Sequence, residues 1–340
     1  MSAAAQDETA LSIIKTAVAD ACVVCRSVQR DIERVRSITK DDRSPVTVAD
    51  FASQAVIAHQ LSLRDPALKL VAEETADALR ATPDLLAEVA RAVRLVWTDA
   101  SEADILDAID LGAGAGGTGA FWTLDPIDGT KGFLRGQQYA ISLAHIDNGA
   151  PTLGVLGCPN LSADFIRPFD DSDPVGVIYL AAASAGLYRL PANRPATEPT
   201  KINRTAYNAD LQLRLCESVE KAHSSHDATG RILERLDRGR DPQRLDSQCK
   251  YAVVARGQAD AYLRMPTKAG YVERIWDHAA GAIVATEAGC LVTDILGKPL
   301  DFSFGRGLEN NLGVVCAPHP LHGDLVRAIH DLGLDSPATE

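Results

Sequence analysis

The sequence predicts an α/β protein whose N-terminal part is α+β and whose C-terminal part is α/β. Three observations carry that prediction. Apolar residues recur at helical spacing through much of the first 110 positions. Between 121 and 158 the pattern becomes that of paired strands with a hairpin turn. Beyond 212, short apolar runs alternate with helical stretches, as strands wound by helices do. The chain has 340 residues, 46% hydrophobic and 24% charged, enough apolar material for two cores or one large one. We divide it into an N-terminal domain over 1–150 and a C-terminal domain over 151–335.

Residues 7–36 carry Leu11, Ile14, Val18, Cys22, Cys25 and Val28 on one stripe and form a first long helix. In SPVTVADFASQAVIAHQL, Pro45 holds its neighbours extended, so the next helix is expected near Asp50. LKLVAEE is a short strand ending in acid, and DLLAEVARAVRL and SEADILDAIDL are amphipathic helices. GAGAGGTGA satisfies GxGxxG at Gly112, Gly114 and Gly117. It follows a helix and precedes the strand FWTLD, the reverse of the dinucleotide-binding order, and reads as a mobile surface loop. QYAISLAHID and APTLGVLGCPN are strands joined by Asp147-Asn148-Gly149. A strand covers 175–182, and the Pro/Asn/Thr-rich stretch after it reads as loop. Then come the strand LRLCESV, a helix near 226–238, RLD, a helix from about Gln248 and the strand DAYLRM. A helix from about Asp277, the strands CLVTD and LGVVCA, and a helix from about His322 complete the chain.

The formal net charge of −12 repels nucleic acid polymers and anionic membranes. An anionic small ligand then needs a local reversal of the field, which a divalent cation supplies. The N-terminus lacks the basic start and apolar core of a signal peptide, and no apolar run is long enough to span a bilayer. Seven cysteines, an odd number, suit a reducing compartment, so the cytoplasm is the expected location. Cys22 and Cys25 form a CxxC inside a helical stripe and read as packed thiols rather than a redox pair.

LDPIDGTKGFLRG, residues 124–136, concentrates chemistry. Asp125 and Asp128 stand at a strand end; Pro126 stiffens the turn and Gly129 lets it bend sharply. Both carboxylates can share a pocket with the Ile127 carbonyl, three hard oxygens suited to Mg²⁺. Thr130, Lys131 and Gly132 begin a helix whose free N–H groups attract phosphate. Glu73-Glu74 closes one strand as Asp125 closes another, and strand ends of one sheet commonly share a crevice. Asp50 in TVADF and Asp277 in RIWDHAAGAIVATEAG are further acids, each with helix N-capping as the plainer alternative. For Asp125–Asp128 the plainer alternative is a solvated turn, and for Glu73–Glu74 a solvated pair. If they converge, such acids imply two or more Mg²⁺ ions, a bound phosphomonoester and an acidified water. An Asp–hydroxyl pair can take the proton from that water.

DPIDGT together with WDHAAGAIVATEAG resembles the two signatures of the Mg²⁺-dependent, lithium-sensitive inositol monophosphatase superfamily. SPVTVAD, DPIDGTKGFLRG, EKAHSSHD, LDSQCKY, YLRMP and IWDHAAG, in that order, resemble its 3′(2′),5′-bisphosphate nucleotidase branch. The likeness runs from about Leu11 to Ile329. It implies a layered αβαβα sandwich, with Glu73, Asp125, the Ile127 carbonyl, Asp128 and Asp277 binding two or three Mg²⁺ ions. Asp50 and Thr130 would activate the attacking water, the aspartate accepting from the threonine hydroxyl. Gly129 and Thr130 would hold the phosphate, and His223, Ser247, Lys250 and Arg264 would contact the nucleotide. The plainer alternatives for Lys250 and Arg264 are solvated surface charges.

The implied activity is removal of the 3′-phosphate from adenosine 3′,5′-bisphosphate, with 3′-phosphoadenylyl sulfate as a second substrate. Lithium would inhibit, with Na⁺ or Ca²⁺ as candidates for the same effect. The same chemistry on inositol 1,4-bisphosphate or an inositol monophosphate is the alternative. Lys131, where simple inositol monophosphatases usually carry a second threonine, argues against the monophosphate. A catalytically silent nucleotide sensor would be expected to lack Asp50 or Thr130, and both are present. The partner is thus a small nucleotide, with a monomer as the default oligomeric state.

Overall fold

The computed structural model describes residues 3–32, 44–169, 171–220, 225–238, 241–268 and 270–336. Helix α1 (Ala3–Arg30) buries the predicted stripe, with Ile14, Val18, Cys22, Cys25 and Val28 at most 2% exposed. It ends six residues before the expected boundary, and 33–43 lie outside the described residues. Helix α2 (Ser44–Ser62) starts earlier than expected, with Pro45 inside its first turn. The missing proline N–H is no loss there, because first-turn donors have no helical acceptor. Asp50 therefore sits within α2 and caps nothing.

Strand β1 (Leu70–Ala72), α3 (Asp77–Arg80), α4 (Pro83–Val93) and α5 (Glu102–Asp110) follow. Ser101 and Asp104 form a reciprocal capping box at the start of α5. The glycine stretch after α5 is docked rather than mobile. Gly114 donates its N–H to the Leu70 carbonyl at 2.9 Å, and Ala72 donates to the Gly112 carbonyl at 2.9 Å. A side chain on Gly114 would overlap the Leu70 carbonyl, so the glycines serve close backbone approach to β1.

Strand β2 (Phe121–Asp128) leads into α6 (Thr130–Leu134), then β3 (Ala140–Asp147) and β4 (Ala150–Cys158). Asn148 and Gly149 take positive φ, +50° and +76°, as the hairpin signal requires. The stretch expected as loop after β5 (Val177–Ala182) contains β6 (Gly186–Pro191) and β7 (Thr200–Ile202). Neither run is long, and pairing in register, β6 with β5 and β7 with β6, decides them. One seven-stranded sheet thus runs β1 to β7 in chain order, antiparallel except for β1 and β2. The division expected at residue 150 falls at the β3–β4 turn, inside this sheet; the change of sheet comes after β7.

The second sheet has the order β11-β12-β10-β8-β9. Its strands are β8 (Leu215–Glu217), β9 (Gln243–Arg244), β10 (Ala261–Arg264), β11 (Cys290–Thr293) and β12 (Val314–Pro318). Between them lie α7 (His226–Leu236), α8 (Cys249–Ala255), a 3₁₀ turn (Ile275–Asp277) and α9 (Ala279–Glu287), with α10 (His319–Asp331) last. Three cores separate five layers. The first joins α1, α2, α4 and α5 to one face of the large sheet. The second holds α8 and α9 between the sheets, and the third packs α7 and α10 on the outer face of the small sheet. The αβαβα layering is as expected. No described helix is long and apolar enough to cross a membrane.

Candidate active site

Parallel pairing brings the first two acids together. Ala72 pairs with Leu124, so Glu73 and Asp125 leave β1 and β2 at the same edge. Asp125 faces Ser142 on β3, but Asp128 faces Ala140, an irregularity of one residue. Such a bulge turns the Asp-Pro-Ile-Asp stretch out of the ladder. Asp125 Oδ1 accepts the Ile127 N–H at 3.1 Å, and Ser53 of α2 donates to the Pro126 carbonyl at 3.0 Å. Gly129 closes the turn at φ +87°, and a side chain there would come within 2.9 Å of the Ser247 side chain. Only glycine meets both demands. Asp277 arrives on the 3₁₀ turn, and the N-cap of α9 is His278, so Asp277 is not spent as a cap.

Glu73, Asp125, Ile127, Asp128 and Asp277 line one cleft of about 760 Å³ with Gly129 and Thr130. Asp50 lies behind it, 5% exposed. Burial, then Glu73, Asp128 and Asp277, push the Asp125 carboxyl well up. Burial, then Glu74 and Glu73, do the same to Asp50. Burial raises Asp277, with Arg264 opposing and Asp128 adding. Glu73 is pushed up to about 7 by burial, Glu74 and Asp128.

The donors offered are hard oxygens, and Asp50 Oδ1 is buried with no hydrogen-bond partner. The set therefore fits a small divalent cation such as Mg²⁺. A second trio, Glu273, Asp277 and His278, has ligand atoms within 4.8 Å of one another. Glu273 is already committed, its two oxygens meeting Arg264 at 2.7 and 2.6 Å. His278 shares a 2.8 Å hydrogen bond with the Tyr251 hydroxyl. Of the trio, Asp277 lines the cleft.

A pH test follows. A carboxyl raised above its unfolded value binds its proton more tightly in the folded state, so its contribution to stability falls as pH rises through the folded pKa. Chelator-treated protein should therefore gain stability as pH drops from about 8 to about 6.5, by about 1 kcal/mol from Glu73 alone. Below that range His59, His145, His278 and His322, all lowered mainly by burial, oppose the trend. Differential scanning calorimetry measures the gain, and saturating Mg²⁺ should abolish it.

Cations share the cleft. Lys250 is 3% exposed, not a solvated charge; its Nζ donates to the Ser247 carbonyl at 2.8 Å and lies 5.2 Å from the Tyr262 ring. Burial pulls its ammonium down, against Asp128 and Asp246. Arg264, 9% exposed, is held by Glu273 and lies 3.9 Å from Asp277. Ser247 adopts φ +69° beside Gly129. Lys131 pairs with Glu220 at 2.7 Å, and Arg135 with Glu220 and Asp246, which pins α6. Thr130 is exposed. Among the described residues no hydrogen bond joins it to Asp50, so the expected dyad is not joined here. His223 lies outside the described residues. The CxxC thiols are buried within α1, and burial pushes Cys22 up to about 12, as packed thiols require.

Sequence reasoning missed Gln248, Trp276 and Arg306 as parts of the site. The one local signal for Arg306 is its place between two glycines in FGRG.

A model of the inositol monophosphatase family matches residues 4–334. The chain is 39% identical over 339 residues to a 3′(2′),5′-bisphosphate nucleotidase of Schizosaccharomyces pombe, covering 96% of each chain. It is 42% identical over 342 residues to one of Oryza sativa, covering 94% of this chain and 93% of that one. Among solved structures it resembles an inositol monophosphatase from Anabaena (TM-score 0.61, 20% identity, 96% of this chain and 97% of that one). It also resembles CysQ from Bacteroides thetaiotaomicron (TM-score 0.59, 18% identity, 91% and 97%). The structural likenesses bear on the fold alone.

Proposed function

The chain belongs to the inositol monophosphatase family, and from that membership we propose that it removes the 3′-phosphate of adenosine 3′,5′-bisphosphate, giving AMP and inorganic phosphate. The observation that carries this reading is one cleft lined by both acids and cations. The acids suit a phosphate bridged to the protein by a divalent cation, and Lys250 and Arg264 suit a second anionic group. A single-phosphate polyol would bring no second anion to these two cations. The names of the bisphosphate nucleotidase relatives support the same substrate class. 3′-Phosphoadenylyl sulfate, with its further acidic group, is a second substrate in this reading.

Glu73, Asp125, Asp128, Asp277 and the Ile127 carbonyl would hold two or three Mg²⁺ ions. Bound there, Mg²⁺ supplies charge for the phosphate oxygens and acidifies a water. The Gly129 and Thr130 N–H groups would receive the transferring phosphate at the start of α6. The Thr130 hydroxyl would orient the attacking water, and Asp50 would accept its proton. Ser247 and His223 would contact the nucleoside, and Lys250 and Arg264 the 5′-phosphate. Lithium inhibition belongs to this reading. So do a monomeric state and a cytoplasmic location, the latter supported by seven unpaired, buried cysteines.

The test is phosphate release by purified protein from adenosine 3′,5′-bisphosphate, with and without Mg²⁺, beside inositol 1,4-bisphosphate and inositol 1-phosphate. Mg²⁺-dependent turnover highest on the nucleotide is expected. A higher kcat/KM on either inositol phosphate would reassign the substrate, and no turnover on any of the three would remove the catalytic reading.

A further inference from the structure

We propose that Arg306 and Gln248 are positioning residues, joined through Trp276, that set the placement of Glu73, Asp128 and Asp277 relative to one another. The inference rests on the reading of those carboxylates as cation ligands. Arg306 Nη2 donates to the Ala72 carbonyl at 2.6 Å and Nη1 to the Gly114 carbonyl at 3.1 Å. One guanidinium thus holds the residue before Glu73 and the glycine stretch docked against it. The same guanidinium lies 4.6 Å from the centroid of the Trp276 ring, one residue before Asp277.

Gln248 works from the other side of that residue. Its Nε2 donates to the Trp276 carbonyl at 2.7 Å, and its Oε1 accepts the Gly281 N–H of α9 at 2.8 Å. Its own backbone N–H donates to Asp128 Oδ2 at 2.5 Å. Three ligand-bearing segments, distant in the chain, are therefore cross-linked by the Arg306 side chain and by the side chain and backbone N–H of Gln248, which meet on one tryptophan. Gln248 is 2% and Trp276 6% exposed, so water competes little for these bonds. A planar fork reaches two carbonyls while lying against an indole; lysine keeps the charge and can donate to one of them, but not to both in that plane.

The test uses the full chain and titrates Mn²⁺ calorimetrically into wild type, Asp125→Asn, Arg306→Met, Arg306→Lys and Gln248→Met, with melting temperature, kcat and KM measured alongside. Arg306→Met and Gln248→Met should weaken Mn²⁺ binding about tenfold to a hundredfold, the range for groups that orient metal ligands. Their kcat should fall more than their KM rises, because Lys250 and Arg264 are untouched. Arg306→Lys should recover part of the loss, and it keeps the test open if the methionine variant fails to fold. Mn²⁺ binding by Asp125→Asn equal to wild type would defeat the cation-site reading itself. Weak binding by Asp125→Asn but wild-type affinity in the Arg306 and Gln248 variants would overturn the positioning role alone. So would a lower melting temperature at unchanged Mn²⁺ affinity, which marks packing and nothing more.

Discussion

Asp125→Asn should lower Mg²⁺-dependent phosphate release from adenosine 3′,5′-bisphosphate by about a thousandfold while making the metal-free protein more stable. Asp125 is 2% exposed, and Glu73, Asp128, Asp277 and Asp50 all raise its carboxyl further after burial has done so. An amide of the same shape can still accept the Ile127 N–H, so the turn survives. It carries no charge, so the repulsion within the cluster falls, and a gain of about 1 kcal/mol is reasonable for relief at a strained functional site. On the proposed reading the same change removes a charged ligand, and groups one step further from a metal already matter about ten- to a hundredfold. Phosphate release and calorimetry with and without Mg²⁺ check both halves: Mg²⁺ should raise the melting temperature of wild type and not of the variant. Turnover equal to wild type would take Asp125 out of the chemistry, and a destabilised metal-free variant would contradict the repulsion argument.

Arg264→Met should cost about 3–5 kcal/mol of stability, because it strands a buried carboxylate. Burial works to raise Glu273, yet Arg264 and His278 hold it down at about 2. Burial likewise works against the Arg264 charge, and Glu273, Tyr262 and Asp277 together outweigh it. Without the guanidinium, what Glu273 keeps among the described residues is a 3.4 Å side-chain contact to His278 Nε2. Arg264→Met combined with Glu273→Gln should recover most of the stability, since neither partner is then a lone buried charge. On the proposed reading it should not recover a low KM for the bisphosphate, because Arg264 would be the cation for the second anion and is still missing. Urea unfolding of the two single variants and the double variant measures the coupling, and KM separates the two roles of Arg264. A cost under about 1 kcal/mol for Arg264→Met would show that the pair is not what stabilises this side of the cleft.

Much of the fold was legible because helical stripes, strand runs and turn chemistry are local. The stripe of α1, the amphipathic pattern of SEADILDAIDL and the Asn148-Gly149 turn each announce themselves within a few residues. Pro45 misled because a proline reads alike before a helix and in its first turn. Strands β6 and β7 were hidden because their pairing with β5 and with each other, not their composition, makes them strands. Glu73 beside Asp125 could be argued from strand ends, but the register of Ala72 with Leu124 had to be seen.

By itself the sequence determined which side chains can do chemistry here: hard acids at strand ends, a glycine turn and a helix start, each encoded by neighbours in the chain. The tertiary structure alone decided what aims them. Arg306 on Ala72 and Trp276, Gln248 on Trp276 and Asp128, and Glu273 on Arg264 are contacts whose partners, even nine residues apart in the last case, follow no helical or strand period. The physical reason is that a hydrogen bond or ion pair closed by folding needs only proximity in space, and proximity between distant segments leaves no pattern in a single chain.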